Sequence, residues 1–304
     1  MNLLIHIGYH KTGTTLLQKK IFNRTDFGFI SPWTRTQFYE EIILANPFTY
    51  DPISVRNRFE QDFTRKTSEN LIPVLSEERF SGNIVPKAVF NNYYIAERLY
   101  SLFPEAKILI IIRNQLDMIL SIYKHRLRSN LTVDIDLFLE QIPLSTTFEP
   151  IFHLDYLQYH LLINHYQSLF GKDKVLCLPY EMLCRDSKSF FSQISSFAGV
   201  NIDENLTLPK VNEGYSYLTL YIKRYINFLE PKMPMPRKDL SLINSLSWYL
   251  NQLINKTFLK NIGNTMESKL KKKIADKIEG YYQESNQKTS QLIGMDLSVY
   301  QYQI

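Results

Sequence analysis

Short apolar runs alternate with stretches of helical periodicity over residues 3–215. Positions 3–7 predict a strand, a polar turn from Gly8 interrupts it, and Leu16, Leu17 and Ile21 begin a helix over 14–23. A short strand at 27–30 and helices over about 34–45 and 51–67 lead to a strand at 71–76. A helix at 91–103 then precedes the unbroken branched run of 107–112, the pattern of a strand buried on both faces. Helices follow at 117–128, with Asp117 as the expected N-cap, and at 134–142 and 154–169. A strand at 175–178 and a helix through Phe190, Phe191, Ile194 and Phe197 complete the alternation. Strands separated by helices predict an α/β fold, a mainly parallel sheet with right-handed crossovers flanked by helices. Beyond residue 215 the pattern is helical only, over 218–229, 240–258 and 266–282. The division expected is a core over 1–215 and a helical C-terminal extension over 216–304 packed on the same domain.

The first turn carries the first chemistry. Gly8-Tyr9-His10-Lys11-Thr12-Gly13-Thr14-Thr15 sets a glycine loop against a helix N-terminus, where unpaired N–H groups and the helix dipole favour an anion. Gly8 and Gly13 permit the tight turn, Lys11 supplies a point charge, and Thr14 and Thr15 supply hydroxyls. A Walker loop places its lysine after the second glycine, whereas Lys11 precedes Gly13, so plain ATP or GTP hydrolysis fits badly. The motif resembles the 5′-phosphosulfate loop of sulfotransferases, enzymes that use 3′-phosphoadenosine 5′-phosphosulfate (PAPS). The resemblance implies a P-loop-like fold and assigns Gly8, His10, Lys11, Thr12, Gly13, Thr14 and Thr15 to binding of that co-substrate. A structural turn with a solvated lysine is the competing reading of this segment alone.

A second segment agrees with the first. The 107–112 strand ends at Arg113-Asn114, which puts a cation at the carboxyl end of a central strand, where open α/β sheets bind ligands. Arg113 followed by Ser121 resembles the sulfotransferase 3′-phosphate motif, with Gln115 standing where proline is usual. Arginine suits a second phosphate, bound bidentately; a strand-end salt bridge is the alternative. Tyr180-Glu181 and the following helix to Gly199-Val200 resemble a third family segment, Glu181 being read as a brace of the turn. Lys210 and Asn212-Glu213-Gly214 resemble the family's late asparagine motif, and the match ends there. The basic Arg-Lys-Gly element of cytosolic members is absent from the tail.

The strand at 71–76 runs into Glu77-Glu78-Arg79. In cytosolic sulfotransferases the comparable strand end carries the catalytic histidine, and several carbohydrate sulfotransferases use a glutamate instead. With no histidine nearby, the resemblance implies a carboxylate as the candidate general base. Side chains alternate along an extended segment, so the two glutamates are not expected to face one substrate together. Resemblance to bacterial members favours Glu78 over Glu77, with Lys11 the other catalytic residue. Carboxylates left in solvent or paired with Arg79 are the bland alternative. His10, Glu40 and Glu41 are the fallback bases.

Composition narrows the rest. A length of 304 residues, 44% hydrophobic, with 19 Phe and 20 Tyr, suffices for a sizeable core. Two cysteines without ligand partners argue against disulfides and zinc, and no metal site is expected. A net charge of +5 is too diffuse for nucleic-acid binding. No apolar run approaches the roughly 18 residues that span a bilayer, and the strand starting at residue 3 leaves no export signal, so a cytoplasmic enzyme is expected. The abundance of Asn, Lys, Ile and Tyr suggests a bacterial source. The Lys269–Lys273 run reads as a solvated helix face, a membrane-surface contact being the lesser reading. Pro231, Pro234 and Pro236 mark a linker, or a lid carrying Arg237 and Lys238.

The reading is therefore a PAPS-dependent sulfotransferase acting on an acceptor hydroxyl. A carbohydrate is the expected acceptor, because a carboxylate replaces histidine and because Trp33, Phe38, Tyr39, Phe48 and Tyr50 interleave with polar residues. Small-molecule acceptors are the alternative there. A P-loop small-molecule kinase and a catalytically silent nucleotide-binding protein are the rival functions.

Overall fold

The computed structural model describes residues 3–66, 70–84, 89–143, 149–203, 214–228 and 241–304. Strand β1 (Leu4–Gly8) leads through the glycine loop into α1 (Thr14–Lys20). Then come β2 (Phe29–Ile30), α2 (Arg35–Phe38), a π-helical turn at Tyr39–Ile43, α3 (Pro52–Lys66) and β3 (Ile72–Ser76). Helix α4 (Asn92–Leu102) precedes β4 (Lys107–Ile112), and α5 (Gln115–Ser129), α6 (Ile135–Phe138) and α7 (Tyr159–Phe170) precede β5 (Val175–Pro179). The remainder is α8 (Tyr180–Arg185), α9 (Ser187–Ala198), α10 (Tyr217–Ile226), α11 (Ser241–Asn255), α12 (Leu259–Lys277) and α13 (Gln283–Ile293).

The five strands form one sheet in the order β2-β3-β1-β4-β5, every pairing parallel. β1 and β4 lie inside it, which explains their unbroken apolar character: Ile5, Ile7 and residues 108–112 are fully buried. The register matches His6 with Ser76 and Gly8 with Ile111. The carboxyl ends of β1, β3 and β4 therefore reach one edge of the sheet together, bringing the glycine loop, Glu77-Glu78 and Arg113 to it.

Cα packing divides the chain into two compact units. The first comprises Met1–Gln115, His153–Leu208 and Gly280–Ile304 and contains the whole sheet. Its core includes Phe190, Phe191 and Ile194 of α9, packed with Leu17, Phe22 and Leu109. The second comprises Leu116–Phe152 and Pro209–Glu279. There the side chain of Asn227 donates to the carbonyls of Leu127 and Leu131, and Lys124 pairs with Glu267 at 2.7 Å. No described helix is long and apolar enough to cross a membrane.

Several expectations change. α5 starts at Gln115, so Asp117 is no N-cap; it lies in the first turn and pairs with Lys271 at 2.6 Å. Lys273 pairs with Asp136, so the basic run is not simply a solvated face. The helix expected at 134–142 is confined to Ile135–Phe138, and that at 34–45 passes into the π turn. The last expected helix ends at Lys277, and α13 follows it. Lys210, Asn212, Glu213, the three prolines at 231, 234 and 236, Arg237 and Lys238 lie outside the described residues.

Candidate active site

Gly8 closes β1 where nothing larger fits. A Cβ there would sit 2.5 Å from Thr14 Oγ1 and 3.1 Å from Thr12 Oγ1. Gly13 caps α1 in the left-handed region (φ 79), against the ring of Tyr180. Lys11, at the exposed tip, also takes a positive φ of 70, a region unfavourable for a side-chain-bearing residue. Thr12 is buried and donates to the carbonyl of Tyr9 at 2.6 Å, so its hydroxyl braces the loop from within. Thr14 Oγ1 is buried and has no hydrogen-bond partner among the described residues. An orphaned hydroxyl beside a left-handed glycine at a helix N-terminus fits the phosphate end of a nucleotide. His10 is half-buried and Thr15 exposed.

Behind the loop, His6 holds Ser76 at 2.7 Å through Nδ1, and burial lowers its imidazole pKa to about 3. Gln18 donates to the carbonyl of Ser76 at 2.9 Å. The amide of Glu77 donates to the carbonyl of His6 at 3.3 Å. These bonds tie the loop strand to the strand that carries the two glutamates.

Arg113 stands at the end of β4. Its Nη1 donates to the carbonyl of Lys11 at 2.9 Å, and its guanidinium lies 5.1 Å from the centre of the Tyr180 ring. The hydroxyl of Tyr159 donates to its carbonyl at 2.5 Å. Glu181 accepts from the amide of Asn114 at 2.9 Å, so it braces the turn after β4, the neighbour of the strand that precedes it. Burial raises the pKa of this carboxyl. Ser121 is half-buried on α5 and belongs to the second unit.

The two glutamates part company. Glu77 is fully buried, bound bidentately by Arg35 at 2.8 and 3.0 Å, and it accepts from the amide of Arg79 at 3.2 Å. Burial raises its pKa, outweighing the pull of Arg35. That environment leaves it no surface to offer an acceptor. Glu78 is partly exposed at the head of a 3-10 turn, Glu78–Ser81, and accepts from Arg35 at 2.9 Å. One guanidinium thus meets both carboxylates, because the chain leaves the extended conformation at Glu78 and side-chain alternation ends there. The partner is Arg35, not Arg79, whose guanidinium lies 4.7 Å from the centre of the Tyr39 ring.

In the sequence Arg35 was legible only as a polar residue of the aromatic segment; its pairing with Glu77 spans 42 residues, and no local pattern announces it. The aromatic segment divides. Trp33 and Phe38 are core, the indole donating to the carbonyl of Phe59, while Tyr39 is half-buried and Phe48 is 94% exposed. Glu41 pairs with Arg58, and Glu40 is exposed. Among the described residues no group of three or more His, Cys, Asp or Glu is placed to hold a metal ion.

The model of the sulfotransferase domain matches residues 3–290. The structure of a sulfotransferase from Alicyclobacillus acidocaldarius resembles the chain with a TM-score of 0.54 at 17% identity, covering 99% of each chain, a likeness of fold. The sulfotransferase domain from the curacin biosynthetic pathway aligns at 13% identity and a TM-score of 0.44, over 81% of this chain and 96% of that one. A mouse sulfotransferase complexed with PAP aligns at 18% identity and a TM-score of 0.37, over 66% of this chain and 60% of that one. No curated protein matches the sequence.

Proposed function

The chain belongs to the sulfotransferase domain family, and from that membership we propose that it sulfates a hydroxyl of a carbohydrate, with Glu78 as general base. As a member of the family it is a PAPS-dependent sulfotransferase. The kinase and catalytically silent readings give way with that assignment. PAPS supplies an activated sulfuryl group on a 5′-phosphate leaving group. In the proposal the loop of residues 8–15 receives that phosphate, and Lys11 neutralises the charge that grows on it during transfer. Arg113 addresses the 3′-phosphate, which separates this nucleotide from AMP. Glu78 takes the proton of the attacking hydroxyl, and Arg35 holds its carboxylate in place.

The observation that carries the reading is the shared sheet edge. Parallel register brings the ends of β1, β3 and β4 side by side, so loop, carboxylate and arginine open toward one region. The half-buried ring of Tyr39 carries the guanidinium groups of Arg35 at 5.7 Å and Arg79 at 4.7 Å over it, and this cluster of ring and hydrogen-bond donors next to Glu78 supports a sugar acceptor through its hydroxyl groups. The loss of Trp33 and Phe38 to the core leaves Tyr39, Phe48 and Tyr50 of the five rings. The test is transfer from radiolabelled PAPS to a panel of saccharides and phenols. Labelled saccharide is the expected product; transfer to phenols alone overturns the acceptor and leaves the sulfotransferase intact.

A further inference from the structure

The turn that carries Arg113 is held from a distant part of the chain. Gln115 is the first residue of α5, a position where a proline pre-organises the backbone and sacrifices no hydrogen bond. A glutamine there fixes no φ, so the turn needs another source of rigidity. It has one. Gln115 is 3% exposed, and its Nε2 donates to Asn286 Oδ1 at 2.6 Å and more weakly to the carbonyl of Leu157 at 3.4 Å. Asn286, fully buried on α13, returns a bond from Nδ2 to Gln115 Oε1 at 3.3 Å and donates to the carbonyl of Gln303 at 2.9 Å. Two buried amides thus close on each other, where a lost partner is costly.

The next residue back is held from the same side. Asn114 Nδ2 donates to the carbonyl of Gln301 at 2.5 Å. The amide of Asn114 donates to Glu181 Oε1, and Glu181 Oε2 accepts from the hydroxyl of Tyr302, itself buried. Backbone conformation points the same way. Lys11 and Gln301 are the two non-glycine residues with positive φ among the described residues, at 70 and 67. The carbonyl of one accepts from Arg113 and that of the other from Asn114. Unfavourable backbone is maintained at both places where the turn is gripped.

We propose that residues 286–303 form a clamp whose side chains and carbonyls, through Gln115 and Asn114, position Arg113 for the 3′-phosphate. Asn286 and Tyr302 are positioning residues in this scheme, since they act through the turn and touch no ligand. The inference rests on the reading of Arg113 as the 3′-phosphate arginine.

A double-mutant cycle tests it, with adenosine 3′,5′-bisphosphate and AMP titrated calorimetrically into the full chain. Asn286→Ala weakens bisphosphate binding about tenfold and AMP binding less than about twofold, because only the former uses Arg113. In a Gln115→Pro background, where the ring fixes the backbone, the same substitution costs less than about twofold for either ligand. Tyr302→Phe, a milder change for the case in which Asn286→Ala does not fold, lowers the bisphosphate preference by about threefold. A preference unchanged in both Asn286→Ala and Tyr302→Phe, or equal loss for the two nucleotides, overturns the clamp and leaves Arg113 in place. A wild type without any preference overturns the Arg113 reading and the clamp together.

Discussion

Arg113 donates to the carbonyl oxygen of Lys11 at 2.9 Å, joining the end of β4 to the loop after β1. Lys11 itself takes a φ of 70, a conformation that costs a side-chain-bearing residue on the order of 1–3 kcal/mol. The groups that the proposal assigns to the two phosphates are therefore joined by a hydrogen bond.

Lys11→Ala is expected to lower turnover roughly 10²-fold or more, the scale of losing a charge aimed at the leaving group. The loop keeps its glycines and the Thr14 hydroxyl, so the bisphosphate still binds, more weakly. Single-turnover transfer from labelled PAPS measures the effect. Near-normal rates remove Lys11 from the chemistry.

The glutamates should respond oppositely. Glu78→Gln is expected to lose turnover by about 10²–10⁴-fold with little change in melting temperature, since the residue is partly exposed and its loss acts on proton transfer. Glu77→Gln is expected to lose stability on the order of 1–3 kcal/mol, because it weakens a buried carboxylate that three donors address. Its folded fraction should retain most of the turnover. Thermal melts and kcat on both variants decide it. Normal turnover in both sends the search for the base to His10, Glu40 or Glu41.

The pH dependence of stability has an identifiable source in His6. Burial lowers its pKa from 6.5 to about 3, so between those values the unfolded chain carries a proton that the folded chain refuses. Stability from this group is complete above the unfolded value and falls as pH falls toward the folded one. The loss amounts to about 2 kcal/mol between about pH 7 and about pH 5. Glu77 and Glu181, whose pKa values are raised, act in the opposite sense, so the comparison must be made within one position. Urea unfolding of wild type and His6→Gln at the two pH values isolates the term. Equal pH dependence in the two proteins contradicts it.

What the sequence made legible follows from how each element is stabilised. The strands at 72–76 and 107–112 are covered on both faces and so read as continuous apolar runs. The loop was legible because glycine spacing is local. α13 was not, because the face it buries is polar: Ser285, Asn286 and Thr289 are inside, and hydrophobic periodicity is blind to them. The short helix α8 gave too few positions for a period. The bonds that hold the Arg113 turn join residues 171 and 187 positions apart, and only the folded chain brings them together. Trp33 and Phe38 looked like acceptor aromatics because composition does not say which way a ring faces.

The most direct test of the account compares adenosine 3′,5′-bisphosphate with AMP by calorimetry, on wild type and on Arg113→Ala. Charge-assisted contacts to the extra phosphate are worth about 1.5–3 kcal/mol each, so wild type should prefer the bisphosphate by about tenfold or more. Arg113→Ala should erase most of that preference and change AMP binding little. Equal affinity of wild type for the two nucleotides, or a full preference surviving in Arg113→Ala, contradicts the account.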